Sequence, residues 1–580
     1  MTCDSLPGQP SPGSRATRRR NQAIAVLALF ALAGIISLLG RGPGISATSW
    51  WLDAPDELRG EGSHARKPCP DGVTPQPGGA IRLALLTDVD SFNPFVSHPN
   101  AETRGVFDLV FPRLTYEEPD FAAGPPTFRP GLAASWTIAP DARSIRLRLR
   151  AATWSDGTAI TAEDVRFSWQ AAASPEVLWR NRSIVAGIDD VEVDGERELT
   201  IRFATASRYN LMDASDFHVI PRHRFARVPF SAWPTHGNWF EEARVAGGPF
   251  RLETYRQNQE ITLARNPHFW RDGLPRIDRV HCRVFGNTDA MFSAFLADEV
   301  DVVRKVPFEL TRRVRASREH SLFSFESLSM GLIVWNTGRA PLDDPRVRRA
   351  LAIAIPRENI VRTEFGDAAR VARSTVHSSL WAHDRELRPQ PEDPEASTRL
   401  LAGAGFAPGP RGTLERDGLP FVFELLVGSG NKVRRQVCEH IRRRLEAIGV
   451  RVEVELCDAN ELGRRLGDAH DFDAALVGIN SPTKVDLAPL FHSRSIGAGR
   501  NYASFRNERL DRVLDLVRNA VDQESAKQLW DEAQEILDAE QPVTPLWEER
   551  GYAAFHKRVQ DVRVTALSAY DNSEEWWIAR

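Results

Sequence analysis

Lysine is almost missing from this chain: six lysines stand against 68 arginines among 580 residues. Arginine makes bidentate and stacked contacts that lysine cannot, although so broad a bias also follows from genomic base composition. Cysteine is scarce as well. Cys3, Cys69, Cys282, Cys438 and Cys457 are too few for a disulfide-stapled fold and include no C-x-x-C pair. Cys438-Glu439-His440 with Cys457 downstream is a poor zinc signal. A buried thiol beside a surface histidine is the expectation there, with a Cys438–Cys457 disulfide open in an oxidising compartment. No single sign of charge dominates: Lys+Arg 74 against Asp+Glu 78 leaves −4, which gives no field for nucleic acid. G-x-S-x-G, H-E-x-x-H, Walker A and Rossmann glycine motifs are all missing, so neither catalysis nor a bound cofactor is expected. No period of about 20–50 residues marks a repeat array.

What is present is an ordinary globular mix, 42% hydrophobic and 26% charged, long enough for about two to four lobes with real cores. Fifteen tryptophans suit cores and ligand clefts alike. The N-terminus sets the compartment. Arg15, Arg18, Arg19 and Arg20 precede Ala23 to Leu39, seventeen residues without a charge. A positive segment before an apolar run is the physics of membrane targeting. The run is short for a spanning helix, and no good cleavage site or lipid-bearing cysteine follows it. Residues 1–40 therefore read as an export signal or uncleaved membrane anchor, and 41–78 as a Pro/Gly-rich linker. The expected location is periplasmic, or the outer face of the cytoplasmic membrane.

Beyond Gly79 the pattern is α/β. Ile81 to Leu86 and Ser144 to Arg150 alternate as strands, and Asp190 to Asp194 with Glu198 to Phe203 reads as a hairpin. Thr161 with Asp164 opens a helix over Val165 to Ala173. Gly247 to Leu252 and Glu260 to Arg265 form strand, turn and strand. Met330 to Trp335 is an apolar strand, and Asp344-Pro345 starts a helix whose face is Val347, Leu351, Ala354 and Ile355. Helices are expected at Ala396 to Ala404 and Lys432 to Ala447, closed by Gly405 and Gly449. A strand is expected at Val450 to Leu456, and helices at Leu510 to Val517 and Ala526 to Ala539.

Leu132-Ala-Ala-Ser-Trp136, Trp154-Ser-Asp-Gly-Thr158 and Thr161-Ala-Glu-Asp-Val165 are followed in order by Gly248-Pro-Phe-Arg-Leu252, Asn266-Pro-His-Phe-Trp270 and Pro341 to Arg348. Together they resemble the bacterial extracellular solute-binding proteins of family 5, the dipeptide, oligopeptide and nickel receptors of ABC importers, over residues 79 to 580. The resemblance implies a bilobed clamshell of the periplasmic-binding-protein type. Lobe one would hold 79–330 and 545–580, with an inserted subdomain near 121–244; lobe two would hold 331–544. It further implies a monomer that captures a peptide or related small solute by closure and delivers it to ABC transporter permease subunits. A tethered sensor or chaperone-like peptide binder, or an exported hydrolase, are the rival readings.

Most motif residues read as scaffold: Trp154 to Thr158 is a tight turn, with Gly157 at positive φ. Cleft candidates sit where strands end: Phe92 and Asn93, Trp335 and Asn336, then Asn480 and Asp486 in the segment Gly478 to Asp486. In the resembling peptide receptors an Asp in this last segment receives the ligand's α-ammonium. Matched forward from Phe472-Asp473 without gaps, that position falls on Pro482, and the usual tryptophan before it falls on Ile479. Asp486 could take over if the loop is rearranged; otherwise it is a helix cap or a surface charge. A metal complex, a blocked peptide or a sugar therefore stays open as ligand.

Overall fold

The computed structural model describes residues 65–67 and 74–579, apart from 99, 389–390, 411, 498, 521 and 569. The expected export segment, Cys3 and Cys69 lie outside the described residues. Among those described, no helix is long and apolar enough to cross a membrane.

An eleven-stranded sheet organises the molecule. Its order runs Arg451–Cys457, Val422–Gly428, Ala474–Asn480, His320–Trp335, Val543–His556, Val302–Val303, Ala80–Leu85, Arg279–Val284, Glu260–Arg265 and Phe250–Arg256. Ala369–Val371 pairs on the side of Val543–His556. The two central strands, of 16 and 14 residues, join both halves of the sheet. Their ladder is irregular between Glu326 and Met330 and again between Gly331 and Leu332. Leu328 sits at φ +55 inside this break. Aromatic rings press on the facing backbone: a Cβ on Gly331 would lie 2.2 Å from the Trp547 ring, and one on Gly551 would lie 1.7 Å from the Phe325 ring. Only glycine fits either position.

A separate antiparallel sheet of Ala133–Ile138, Ser144–Leu149, Glu198–Phe203 and Ile188–Gly195 stands beside it. Ser144–Leu149 shows the expected alternation, with Ile145, Leu147 and Leu149 buried. The helix Ala162–Ala173 begins as read: the Thr161 amide donates to the Asp164 carboxylate at 2.9 Å. The turn before it holds Gly157 at φ +87, with Asp156 accepting from the Thr158 amide. The helices Pro345–Ala354, Pro394–Gly403, Lys432–Glu446, Glu508–Asn519 and Gln523–Glu540 agree with the sequence reading to within a turn.

Two expectations change. The strand expected to start at Met330 starts at His320, because Ser321, Phe323 and Phe325 are buried on a period of two before the break. The segment Gly478 to Asp486, read as following a strand end, begins inside the strand Ala474–Asn480, since Gly478, Ile479 and Asn480 stay paired with Gly331, Met330 and Ser329.

A buried ionic cluster lies beside the irregular ladder. Glu326 and Glu548, each 1% exposed, face one guanidinium: Arg370 Nη2 is 2.9 Å from Glu326 and Arg370 Nε is 2.6 Å from Glu548. The Ser378 amide and hydroxyl also donate to Glu548, and His377 stands 3.8 Å away. Burial opposes the Glu548 charge, yet His377, Arg370 and these donors hold its carboxyl down at about 2. Glu326 is pushed the other way, chiefly by burial.

Candidate functional site

Below the irregular ladder, the ends of several elements enclose a cavity of about 140 Å³. Leu328 and the segment Asn480 to Thr483 form one wall, and Tyr116, Arg129, Trp270 and Glu574 belong to the opposite one. The Ser481 amide donates to the Leu328 carbonyl at 2.8 Å, so the broken strand fixes the segment that enters the cavity.

The opposite wall is charged and aromatic. The Arg129 guanidinium lies 4.7 Å above the Tyr116 ring and 3.0 Å from the Asp571 carboxylate. Arg113 bridges Asp108 at 2.7 Å and Asp216 at 3.5 Å, and His218 approaches Asp108 at 2.9 Å. Burial and the neighbouring Arg113 hold the His218 imidazole down at about 4. Burial opposes ionisation of Asp108, but Arg113 and His218 depress it well below the usual carboxylate range. Glu574 is raised by burial despite Arg129. The Arg150 guanidinium stacks 3.7 Å above Trp270, whose indole nitrogen has no hydrogen-bond partner among the described residues. Cation–π stacking of this kind holds a ring flat as a contact surface. Every carboxylate on the cavity wall (Asp108, Glu117, Asp571 and Glu574) comes from outside the Asn480 to Thr483 wall.

The residues singled out from sequence separate into three groups. Asn480 lines the cavity, and its side-chain oxygen accepts from Ser329 at 2.5 Å. Pro482, where the resemblance expects an acid, lines it too. Trp335 and Asn336 are placed in the core instead. Trp335 is fully buried, packs edge-on against Phe423 and donates its indole N–H to Thr544 at 2.8 Å. Asn336 donates to the carbonyls of His470 and Phe472, tying two segments together. Phe92 and Asn93 are likewise away from this cavity: Phe92 packs on Tyr255 and Phe240, and fully buried Asn93 accepts from the Phe95 amide. Asp486 accepts from the Ala488 amide in a local turn ahead of the short helix Ala488–Phe491, whose N-cap is Leu487, and is not on the cavity wall.

The cysteine expectation divides as well. Cys438 and Cys457 are free and buried, so no disulfide joins them, and His440 pairs with Glu364 at 2.7 Å. Sequence reasoning missed Tyr116, Arg129, Trp270 and Glu574, which come from separate segments and share no local motif. Trp270 alone carried a signal, as the last residue of Asn266-Pro-His-Phe-Trp270.

Direct bonds also tie residues 121–213 to residues 381–523. The Lys484 ammonium is 2.7 Å from Asp213. Arg208 donates to the carbonyls of Ala520 and Asp522, the Trp381 amide to Phe121, and Gln523 to Ala123.

Comparison with known proteins places the fold. Residues 127–497 match the family described as bacterial extracellular solute-binding proteins, family 5 Middle. The chain is 24% identical over 515 residues to the oligopeptide-binding protein AppA of Bacillus subtilis, covering 87% of this chain and 93% of that one. The structure of that AppA in complex with a nonapeptide superposes with a TM-score of 0.71 at 23% identity, over 87% of this chain and 100% of the other. NikZ of Campylobacter jejuni, in complex with Ni(L-His), gives 0.71 at 22% identity over 86% and 99%. The fold is therefore the bilobed α/β fold of these solute-binding proteins, matched over their full length. The family that it matches is one of non-catalytic extracellular solute-binding proteins. With the matched region covering well over half its length, the chain belongs to the bacterial extracellular solute-binding proteins of family 5.

Proposed function

We propose that this chain is the extracytoplasmic receptor of an ABC importer and takes a peptide or peptide-like solute into the cavity between residues 104–129 and 567–574 on one side and 480–483 on the other. The observation that carries this reading is a polar and aromatic cavity walled from both sides of the irregular central strands. Residues 79–330 and 545–580 would move as one lobe, with the sheet of Ala133–Phe203 in its inserted subdomain, and 331–544 as the other. Two strands crossing between lobes, each broken at the same level, let the halves rotate without unfolding. Asn480 is the sequence-derived residue we retain as a ligand contact. Phe92, Asn93, Trp335, Asn336 and Asp486 act in this reading as supports of the scaffold. The loaded form would dock on permease subunits as a monomer, held near the membrane by residues 1–40.

The solved relatives carry a nonapeptide and a nickel–histidine complex, so the family resemblance alone does not choose a ligand. The cavity does favour one pattern. The 480–483 wall presents an amide, hydroxyls and Pro482, while carboxylates stand opposite. A ligand amine would therefore be received by the first lobe, and peptides without a free amine would lose less than in receptors with an acid at the Pro482 position.

Thermal-shift screening of the full chain against free peptides, amine-blocked peptides and nickel chelates tests the reading. Peptides of either kind are expected to raise the melting temperature saturably, following RT ln(1 + [L]/Kd). Stabilisation by nickel chelates with inert peptides would refute it. Pro482→Asp installs the second-lobe carboxylate, and is expected to shift preference toward free over blocked peptides by about tenfold, the worth of a charge-assisted bond. Titration calorimetry with one matched pair reads that ratio.

The Lys484–Asp213 pair stabilises the closed arrangement only. Lys484→Met is expected to weaken solute binding about three- to tenfold, since a partly exposed pair contributes about 1 kcal/mol to closure. The melting temperature without solute should stay nearly constant. A large loss of that melting temperature would instead make the pair a general fold contact.

A further inference from the structure

A second cavity, of about 930 Å³, lies away from the cleft and is walled only by residues 89–98, 175–182, 233–239 and 255–257. Its size is that of small-molecule sites, which are mostly apolar with a few polar groups at set positions. The wall is aromatic. Phe92 meets Tyr255 edge-on at 4.8 Å, and Trp233 meets Trp239 at 5.1 Å. Trp179 adds a ring that is 8% exposed.

The Trp239 indole nitrogen and His236 Nε2 on this wall are buried without a protein partner among the described residues. Trp239 is only 3% exposed, and His236 packs on it at 4.5 Å. Leaving buried donors unmatched costs free energy that a bound molecule can recover. Trp233, by contrast, is satisfied by the Val228 carbonyl at 2.9 Å. The charged wall groups are Arg180, Arg182, His98 and Asp90. Asp90 is already engaged by His98 at 2.9 Å, which leaves the Arg182 guanidinium as the exposed positive group on the wall. Arg182 is exposed, with one Nε bond to the Ala173 carbonyl. Leu178 is 69% exposed at the mouth and held at φ +58, in the left-handed region that a leucine rarely adopts.

We propose that this cavity is a second binding site, independent of the cleft, for a small aromatic carboxylate. Its ring stacks among Phe92, Trp179 and Tyr255, the buried ring N–H groups of His236 and Trp239 meet its π face, and Arg182 receives its carboxylate. Stacking and edge-to-face packing favour a planar ring over an aliphatic one. A guanidinium at the mouth favours the anion over its neutral amide.

The test is titration calorimetry of the full chain with 2-naphthoate, 2-naphthamide and cyclohexanecarboxylate. Naphthoate is expected to bind saturably at one site, more tightly than either control. Arg182→Gln, an exposed change, should weaken naphthoate about tenfold and leave naphthamide unchanged. His236→Ala should weaken both aromatic ligands. Ser481→Trp, which fills the cleft cavity, should leave naphthoate binding as it is, so this site and the cleft are judged separately. No saturable binding of naphthoate, equal binding of cyclohexanecarboxylate, or loss of naphthoate binding in Ser481→Trp would each overturn the proposal. Equal affinity for naphthoate and naphthamide would overturn the carboxylate assignment.

Discussion

Replacing Arg370 with methionine is expected to lower the unfolding free energy by about 3–5 kcal/mol, the cost of removing one partner from a buried ionic cluster. The reason is geometric. Arg370 lies on the short strand Ala369–Val371, which pairs with Trp547 to Glu549. From there its guanidinium spans Glu548 on one central strand and Glu326 on the other. Both carboxylates are 1% exposed, so without Arg370 two buried acids face each other across the irregular ladder. Carrying Glu326→Gln and Glu548→Gln in the same chain should recover most of the loss, because the uncompensated charge then disappears. Denaturant unfolding of the three forms reads both effects. A single Arg370→Met change costing under about 1 kcal/mol would mean that the cluster is hydrated and carries little strain.

Acid should destabilise the protein well above the range where carboxylates titrate. His377 and His218 are buried and held at about 4, against an ordinary value of 6.5. For each, burial is the first cause, and Arg370 or Arg113 adds repulsion. His383 also opposes the His377 charge, and Arg104 that of His218; Glu548 and Asp108 favour the charged forms but do not prevail. Between pH 6.5 and about 4 the unfolded chain therefore binds protons that the folded chain refuses, so stability falls as the pH falls. Each histidine contributes about 2 kcal/mol of loss by about pH 5. Glu548 acts lower down: its carboxyl, depressed to about 2, supports the fold above the ordinary carboxylate range and loses that support only as pH falls toward 2. His377→Asn should flatten the upper part of the profile, measured as unfolding free energy at pH 7 and pH 5. An unchanged slope would show that His377 accepts its proton in the folded state.

Local chemistry made much of the fold legible. Ile145, Leu147 and Leu149 alternate with arginines, Thr161 and Asp164 cap a helix, and Asp344-Pro345 begins another. Each of these signals is complete within a few residues. The long strand from His320 was harder to see, since Ser327 to Ser329 interrupts its pattern where the ladder breaks. The site was least legible. Tyr116, Arg129, Trp270, Asn480 and Glu574 meet because distant segments fold onto one cavity, and no spacing in sequence records that meeting. Trp335 shows the converse. Its place beside an amide at a strand end suggested a ligand contact, but Phe423 and Thr544 from distant strands enclose it. Cys438 was legible by contrast: it sits on the buried face of Lys432–Glu446 as the unpaired buried thiol expected there, pushed up by burial.

The central claim is that solute closes the two lobes on the cavity. Its most direct measurement is a pulsed-electron distance between spin labels at exposed Arg146 and Arg512, one in each proposed lobe. The labels are carried as cysteines in the full chain, with Cys3 and Cys69 changed to serine. The account predicts a broad or longer distance without solute that collapses to one shorter distance as the stabilising peptide saturates. Lys484→Met should shift the same titration to higher peptide concentration. A distance that stays fixed while the peptide binds saturably would contradict closure as the means of capture.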